Sequence, residues 1–436
     1  MLCDKFYSVF YNQEIESSCF DRPAAAYVHI PFCRRRCFYC DFPISVVGDN
    51  PPLSRQGPES AQGFGTIAEY VEVLCQEINA THVLSRSLET VFFGGGTPSL
   101  LTVQQLDQIL NTIDRRFSIA PTAEISMEID PDTVDFDRLK GYQAAGINRI
   151  SLGVQAFQPE LLTACGRTHT VADIYAAVEK LHQLDFANFS LDLISGLPHL
   201  TVDHWQDSLE QAIHLNPTHL SVYDLTIEPG TAFDRWYTPG TLPLPSDEAT
   251  AQMYHIAQQT LTQAGYEHYE ISNYARSGYQ CRHNRVYWEN RSYYGFGMAA
   301  ASYTNGQRFT RPRKRREYYQ WVQTLIEQHG AIDCVPVSLN DRLLDTLMLG
   351  LRLADGLSVG NLTEQFGEMV LSQIFACLQS YQQLGWVMYL DGSAKKQEFL
   401  ERSHPPHRIR LTDPEGFLFS NVVLTALFEQ LSVTDP

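Results

Sequence analysis

Six short apolar runs punctuate the first half of the chain: Ala25–Ile30, Thr90–Phe93, Ile125–Ile129, Arg149–Val154, Phe189–Ile194 and Leu220–Leu225. Runs this short and this apolar suit strands buried on both faces, which have no polar side to show. Between them lie Ile67–Asn79, Val103–Ile113, Asp135–Ala145, Ala172–Leu184 and Val202–Leu215. There apolar residues recur at helical spacing, predicting helices with one buried face. Several runs end in Gly, Pro or Asp, which favour turns. A strand–loop–helix unit repeated about six times predicts a parallel sheet with right-handed crossovers, with ligand chemistry at the carboxyl ends of the strands. The pattern alone leaves an open sheet and a partial barrel as alternatives.

The pattern changes along the chain. Residues 1–23 read as a lead-in, and Val46–Gly65, rich in Pro, Gly and Ser, as an exposed loop. Residues 24–245 carry the strand–helix alternation. Residues 246–338 mix helices with short irregular strands. Residues 339–436 read as a mostly helical accessory domain, interrupted by a polar connector at Lys395–Pro406 and the strand-like Arg408–Leu411.

Composition narrows the class. The chain has 436 residues, 44% of them apolar, with 22 Tyr and 23 Phe, ample for a large core. Its net charge of -18 excludes a non-specific nucleic-acid binder, which needs clustered Lys and Arg. No apolar run approaches the roughly 20 residues that cross a bilayer, and Met1–Phe20 lacks the apolar stretch of a signal peptide. Ten cysteines in so long a chain are not a secreted disulfide scaffold, so a reducing cytosol is expected. Cys3, Cys19, Cys75, Cys165, Cys281, Cys334 and Cys377 are scattered and read as small core residues. The basic run Arg311–Arg316 reads as the solvated start of a helix through Tyr318 to Leu325.

Three cysteines are crowded, in Tyr27-Val-His-Ile-Pro-Phe-Cys33-Arg-Arg-Arg-Cys37-Phe-Tyr-Cys40-Asp-Phe42. Cys thiolates hold [4Fe–4S] clusters, and these spacings let one loop wrap three corners of a cube. The fourth iron is left open for another ligand. The three arginines add positive charge, which favours thiolate over thiol. Zinc would need a fourth ligand, and His29, inside the preceding strand, is badly placed to supply it.

The segment resembles the radical S-adenosylmethionine (SAM) signature, C-x3-C-x2-C with an aromatic, here Tyr39, before the last Cys. The resemblance continues through Gly94-Gly-Gly-Thr97-Pro-Ser, Gly153-Val-Gln-Ala-Phe, Gly166-Arg-Thr-His, Asp192-Leu-Ile-Ser-Gly-Leu-Pro and Arg282-His-Asn-Arg-Val-Tyr-Trp288. Together these are similar to the oxygen-independent coproporphyrinogen III oxidase-like group, and nearest to its HemW haem chaperones.

That resemblance implies an α/β fold, a parallel (β/α)6 partial TIM-type barrel with a smaller helical C-terminal domain. It implies Cys33, Cys37 and Cys40 as cluster ligands, with SAM on the open iron. It implies a SAM site built from Tyr27, Tyr39, Gly95, Gly96, Thr97, Glu128, Gln155, Arg167 and Asp192. Arg167 is expected to meet the SAM carboxylate, and Glu128 the ribose or amino group. His283, Tyr287 and Trp288 are the implied haem-binding residues, a neutral imidazole being an axial ligand for haem iron. Related oxidases carry a further Cys where this chain has Phe42, which favours the chaperone group. The implied function is haem binding and delivery without coproporphyrinogen oxidase activity, SAM cleavage being left open. The alternatives are radical decarboxylation of coproporphyrinogen III and a purely structural protein with a vestigial cluster. The expected partners are haem, haem-accepting proteins that include membrane-associated ones, iron–sulfur assembly and reducing proteins, and a second copy of the chain. The expected location is the cytoplasm, extending to the membrane periphery.

Overall fold

The computed structural model describes residues 22–48, 67–84, 87–393, 395–397 and 406–432. The lead-in, Cys3, Cys19 and most of the Val46–Gly65 and Lys395–Pro406 segments lie outside the described residues.

Six parallel strands follow one another in sequence order: β1 (Ala25–Ile30), β2 (Leu88–Gly95), β3 (Ile119–Ile129), β4 (Arg149–Gln155), β5 (Phe189–Ser195) and β6 (His219–Asp224). Each predicted apolar run lies in its strand. Only Leu225, the last residue of the sixth run, falls just beyond. The segments 88–89 and 119–124, whose apolar pattern is broken by Glu89 and by Pro121-Thr122, extend β2 and β3 at their starts, because backbone pairing does not require an apolar side chain at every position. Beyond β6 the sheet continues through antiparallel β7 (Glu267–Glu270) and β8 (Asn273–Ala275), with β8 next to β6. At the other edge β9 (Tyr294–Phe296) pairs parallel to β1, Ala26 opposite Tyr294.

Five helices return the chain between strands: α1 (Ile67–Ala80), α2 (Val103–Phe117), α3 (Phe136–Ala144), α4 (Val171–Gln183) and α5 (Val202–His214). Four start at a side-chain cap. Thr102, Asp135, Thr170 and Thr201 accept the backbone N–H of Gln105, Arg138, Asp173 and His204. Each cap satisfies a helix-end donor with no partner inside the helix. The packed faces join one apolar core from Ala26 to Val322.

A second apolar core runs from Leu343 to Leu431. Helices Leu339–Gly350, Val359–Gln383 and Ser420–Leu431 build it, the middle one broken at Gly367, where φ is 84°. They pack on a four-stranded antiparallel sheet ordered Leu357–Ser358, Arg408–Leu411, Val387–Leu390, Lys396–Gln397. The sequence pattern shows only Arg408–Leu411, where arginine and apolar residues alternate; two of the others are two residues long, and Val387–Leu390 is apolar without alternation. Among the described residues, no helix is long and apolar enough to cross a membrane.

Two expectations about surface and core need correcting. Arg311 is not solvated: it is 2% exposed and its Nε donates to Glu77 Oε1 at 2.7 Å. The helix that follows begins only at Arg315. Cys75, Cys165 and Cys281 are buried core residues, whereas Cys334 and Cys377 are half-buried.

Candidate functional site

The carboxyl ends of β1–β6 surround a cavity of about 280 Å³. Cys33, Cys37, Tyr39, Cys40, Gly95, Gly96, Thr97, Glu128, Gln155, Arg167 and Asp192 all line it. Residues scattered over the sequence meet here because parallel strands bring their carboxyl ends to one edge.

The cysteine loop leaves β1 and is pinned from several sides. Gly96 N–H donates to Ile30 O at 2.9 Å and Thr97 N–H to Phe32 O at 2.7 Å. At Gly95, with φ at +112°, a Cβ would stand 2.4 Å from the His29 ring; at Gly96 it would stand 2.7 Å from Phe32 O. These glycines are therefore needed first for β2 to approach β1 and the cysteine loop. Arg36 staples the loop's far end, donating to Cys40 O at 3.1 Å and Phe42 O at 3.0 Å. Arg34 pairs with Asp132 at 3.4 Å.

At Cys33 and Cys40 burial outweighs the positive charge of the arginines, although Arg36 does pull Cys40 down as expected. Burial dominates and pushes the Cys33 thiol up to about 12, and burial also raises the Cys40 thiol. Loading the loop with iron must displace those protons. Thr97 Oγ1 lies 3.5 Å from Cys33 Sγ and Arg167 Nη1 lies 3.5 Å from Cys37 Sγ, donors suited to sulfur that bears charge. Among the described residues, no three His, Cys, Asp or Glu converge as ligands of a single metal ion must. A four-iron cube fits better, since it takes three thiolates on three separate irons. His29 is unavailable as a ligand: its Nε2 donates to Pro43 O at 3.3 Å and its Nδ1 accepts from Tyr27 OH at 3.0 Å. A carbonyl can only accept, which fixes that tautomer.

Tyr27 does not line the cavity. It lies behind it, its ring beside Gly94 and stacked on Phe92 at 6.2 Å. Glu128 accepts the Gly95 N–H at 3.1 Å. Its carboxyl is raised to about 8, mainly by burial and then by the Asp192 charge. Asp192 accepts from Ser151 Oγ at 2.9 Å and Ser190 Oγ at 3.2 Å. Burial raises it too, against those bonds. Gln155 takes a positive φ of 70° at a register shift between β4 and β5.

Arg167 is more committed within the protein than expected. Its Nη2 donates to Asp130 Oδ1 and, at 2.9 Å, to Gly153 O. Asp130 also accepts from Thr97 Oγ1 at 3.3 Å, joining the glycine turn to the arginine. Sequence reasoning passed over Asp130, although it stands two residues after Glu128 and one beyond the end of β3. It also missed Ser151 and Tyr223, which line the same cavity. Ser151 and Asp192 sit on adjacent strands two register positions apart, on the same face of the sheet, a pairing no spacing in the sequence reveals.

The His283–Trp288 segment lies elsewhere. Glu124 on β3 accepts the N–H groups of Arg282 at 3.2 Å and His283 at 3.1 Å, fixing the start of the helix Arg282–Trp288. His283 is thereby buried at 1% exposure. Its Nδ1 meets Thr90 Oγ1 at 2.8 Å and its Nε2 meets Tyr287 OH at 2.8 Å. Phe92 stacks on the ring at 5.2 Å. Burial lowers the imidazole to about 3, so it is neutral. Both nitrogens are engaged, and an axial bond to haem iron would first have to break one of these contacts. Trp288 faces away, lining a cleft of about 350 Å³ against Leu357, Leu362 and Arg408.

Comparison with known proteins agrees with this geometry. Residues 27–212 match the model of the radical SAM superfamily, and residues 337–394 that of the HemN C-terminal domain. The heme chaperone HemW of Synechocystis sp. is 47% identical over 94% of this chain and 97% of its own. The heme chaperone HemW of Bacillus subtilis is 35% identical over 79% of this chain and 87% of its own. The coproporphyrinogen III oxidase HemN of Escherichia coli shares the fold, with a TM-score of 0.73 at 24% identity over 93% of this chain and 90% of that one. The superfamily is one of [4Fe–4S] and SAM binding, which the cysteine loop and its cavity accommodate. On the extent of its identity to these relatives, the chain belongs to the HemW haem chaperone family of radical SAM proteins.

Proposed function

We propose that this protein binds haem and delivers it to acceptor proteins, and that it carries a SAM-capped [4Fe–4S] cluster. The observation that carries the reading is 47% identity, over nearly its whole length, to a curated haem chaperone. Phe42, which is 51% exposed where related oxidases have a further Cys, supports it against decarboxylation of coproporphyrinogen III.

In this reading Cys33, Cys37 and Cys40 would hold the cluster and leave one iron available to SAM. Such a cluster, once reduced, supplies an electron that can cleave SAM to a 5′-deoxyadenosyl radical. Gly95, Gly96 and Thr97 shape the turn beside the amino group. Glu128, with Asp192 behind it, offers a carboxyl to the ammonium or ribose. Gln155 and Tyr39 close the sides. Tyr27 and His29 back the glycine turn. Arg167, held by Asp130, places a cation near Cys37 and the ligand carboxylate.

The buried His283, with the half-buried Tyr287 on its ring, braces the barrel, and the half-buried Trp288 is the residue of the three that lines an open cleft where haem could lie. Residues 24–245 act as the cluster-bearing barrel, 246–338 as its extension and 339–436 as an accessory unit with its own core. The test is anaerobic reconstitution with iron and sulfide, followed by SAM, reductant and coproporphyrinogen III. No decarboxylation beside an active oxidase control, with saturable haem binding, is expected. Protoporphyrinogen formed over many turnovers would overturn the chaperone reading.

A further inference from the structure

Cys37 and Cys40 form a wall between two cavities. On one side lies the SAM-site cavity. On the other lies a shallow cavity of about 490 Å³ that the proposed function does not use. It opens between the cysteine loop, the short helix Ala232–Trp236 and the segment around Arg313.

Its lining combines basic and aromatic side chains. Arg36, Arg235 and Arg313 line it, against the single carboxylate of Asp41. Three separate parts of a chain with net charge -18 thus bring guanidiniums to one place. Trp236, at 53% exposure, packs edge-on against Phe38 with ring centroids 4.8 Å apart. The Phe233 N–H donates to Phe38 O at 3.0 Å, so the short helix is tied directly to the cysteine loop. An exposed Trp among arginines is the residue mix of a protein–protein hot spot.

We propose that this second cavity is the docking face for an acidic protein that carries single electrons to the cluster. The argument is charge complementarity beside two cluster-ligating cysteines. A basic patch on an acidic protein steers acidic partners to that patch and repels them elsewhere. One electron leaves the carrier's reduced centre and enters the cluster, which passes from its oxidised to its reduced state. The carrier is left oxidised by one electron, and no proton or bond changes hands. The SAM side of the loop remains free throughout.

The inference rests on the cluster reading of the three cysteines and not on haem delivery. The test uses reconstituted full-length protein and a plant-type [2Fe–2S] ferredoxin, an acidic carrier. Two quantities are measured: the affinity for oxidised ferredoxin by titration, and the rate of cluster reduction by reduced ferredoxin in stopped flow. The variant is Arg235→Glu with Arg313→Glu. Arg36 is spared because it staples the loop. Affinity and rate are each expected to fall about tenfold or more in the variant, and in the wild type as salt rises. Reduction by dithionite and binding of SAM should be unchanged. Equal affinity and rate in both proteins would overturn the proposal, as would a wild-type rate indifferent to salt. If the variant fails to hold iron, the wild-type salt series decides. Failure of the cluster reading shows earlier and separately, as wild-type protein that takes up no iron and sulfide before any ferredoxin is added.

Discussion

The Tyr287 hydroxyl lies 2.8 Å from Nε2 of His283, one helical turn away and inside the barrel. This contact, with Thr90 on the other nitrogen, makes the imidazole a brace between the helix Arg282–Trp288 and β2. His283→Ala should therefore cost about 1–3 kcal/mol of stability, since the buried Thr90 hydroxyl and the half-buried Tyr287 hydroxyl lose a partner. Haem affinity and the haem absorption spectrum should stay as in the wild type. Denaturant unfolding and haem titration of the same preparation check both halves. A changed spectrum at unchanged stability would return His283 to the role of ligand.

Replacing Cys37 by Ser removes one corner of the cluster. Iron and sulfide content after reconstitution should fall steeply, with loss of the cluster's visible absorbance. Cluster assembly undiminished in Cys37→Ser would remove the reading of the loop.

The state of Glu128 predicts a pH dependence. Burial and Asp192 hold its carboxyl neutral up to about 8, whereas an ammonium or ribose hydroxyl prefers the carboxylate. Binding then releases a proton, so SAM affinity should rise between about pH 6.5 and 8, by at most about tenfold per unit, and level off above. In Glu128→Gln that component of the slope should vanish. Equilibrium binding across the range, compared between the two proteins, measures it.

Neighbouring arginines of the basic run should behave in opposite ways. Arg311 is paired with a fully buried Glu77, which also accepts from Tyr318 OH at 2.6 Å. Arg311→Ala leaves that charge uncompensated and should cost about 3–5 kcal/mol. Arg313→Ala, at an exposed position, should change stability by no more than about 0.5 kcal/mol. Unfolding midpoints of the two variants give the contrast.

The barrel was legible because each of its strands is a short apolar run and each helix a regular amphipathic stretch. The cysteine loop was legible because its ligands are close in sequence. Arg311 was misread because its partner Glu77 lies on α1, far away along the chain, so the run looked uniformly solvated. The balance of charge and burial at Cys33 and Cys40 was hidden for a related reason. Local arginines are visible in sequence, but the burial that outweighs them is a property of the fold. Asp130 was overlooked because its role depends on Arg167 arriving from another loop. Of the four-stranded sheet near the C-terminus only Arg408–Leu411 was legible, because two of its partners are two residues long and Val387–Leu390 is apolar without alternation.

The pairing of β1 with β9 has a consequence for assembly in time. The strand that launches the cysteine loop occupies residues 25–30, but one of its two neighbours, Tyr294–Phe296, is far downstream. A chain emerging from the ribosome cannot seat the strand Ala25–Ile30 on both sides until Tyr294–Phe296 has followed it out. Contacts between such distant segments form late, after local helices and hairpins. The cysteines are thus made long before the segment that completes the pairing of their own strand, so iron loading belongs after that segment has folded.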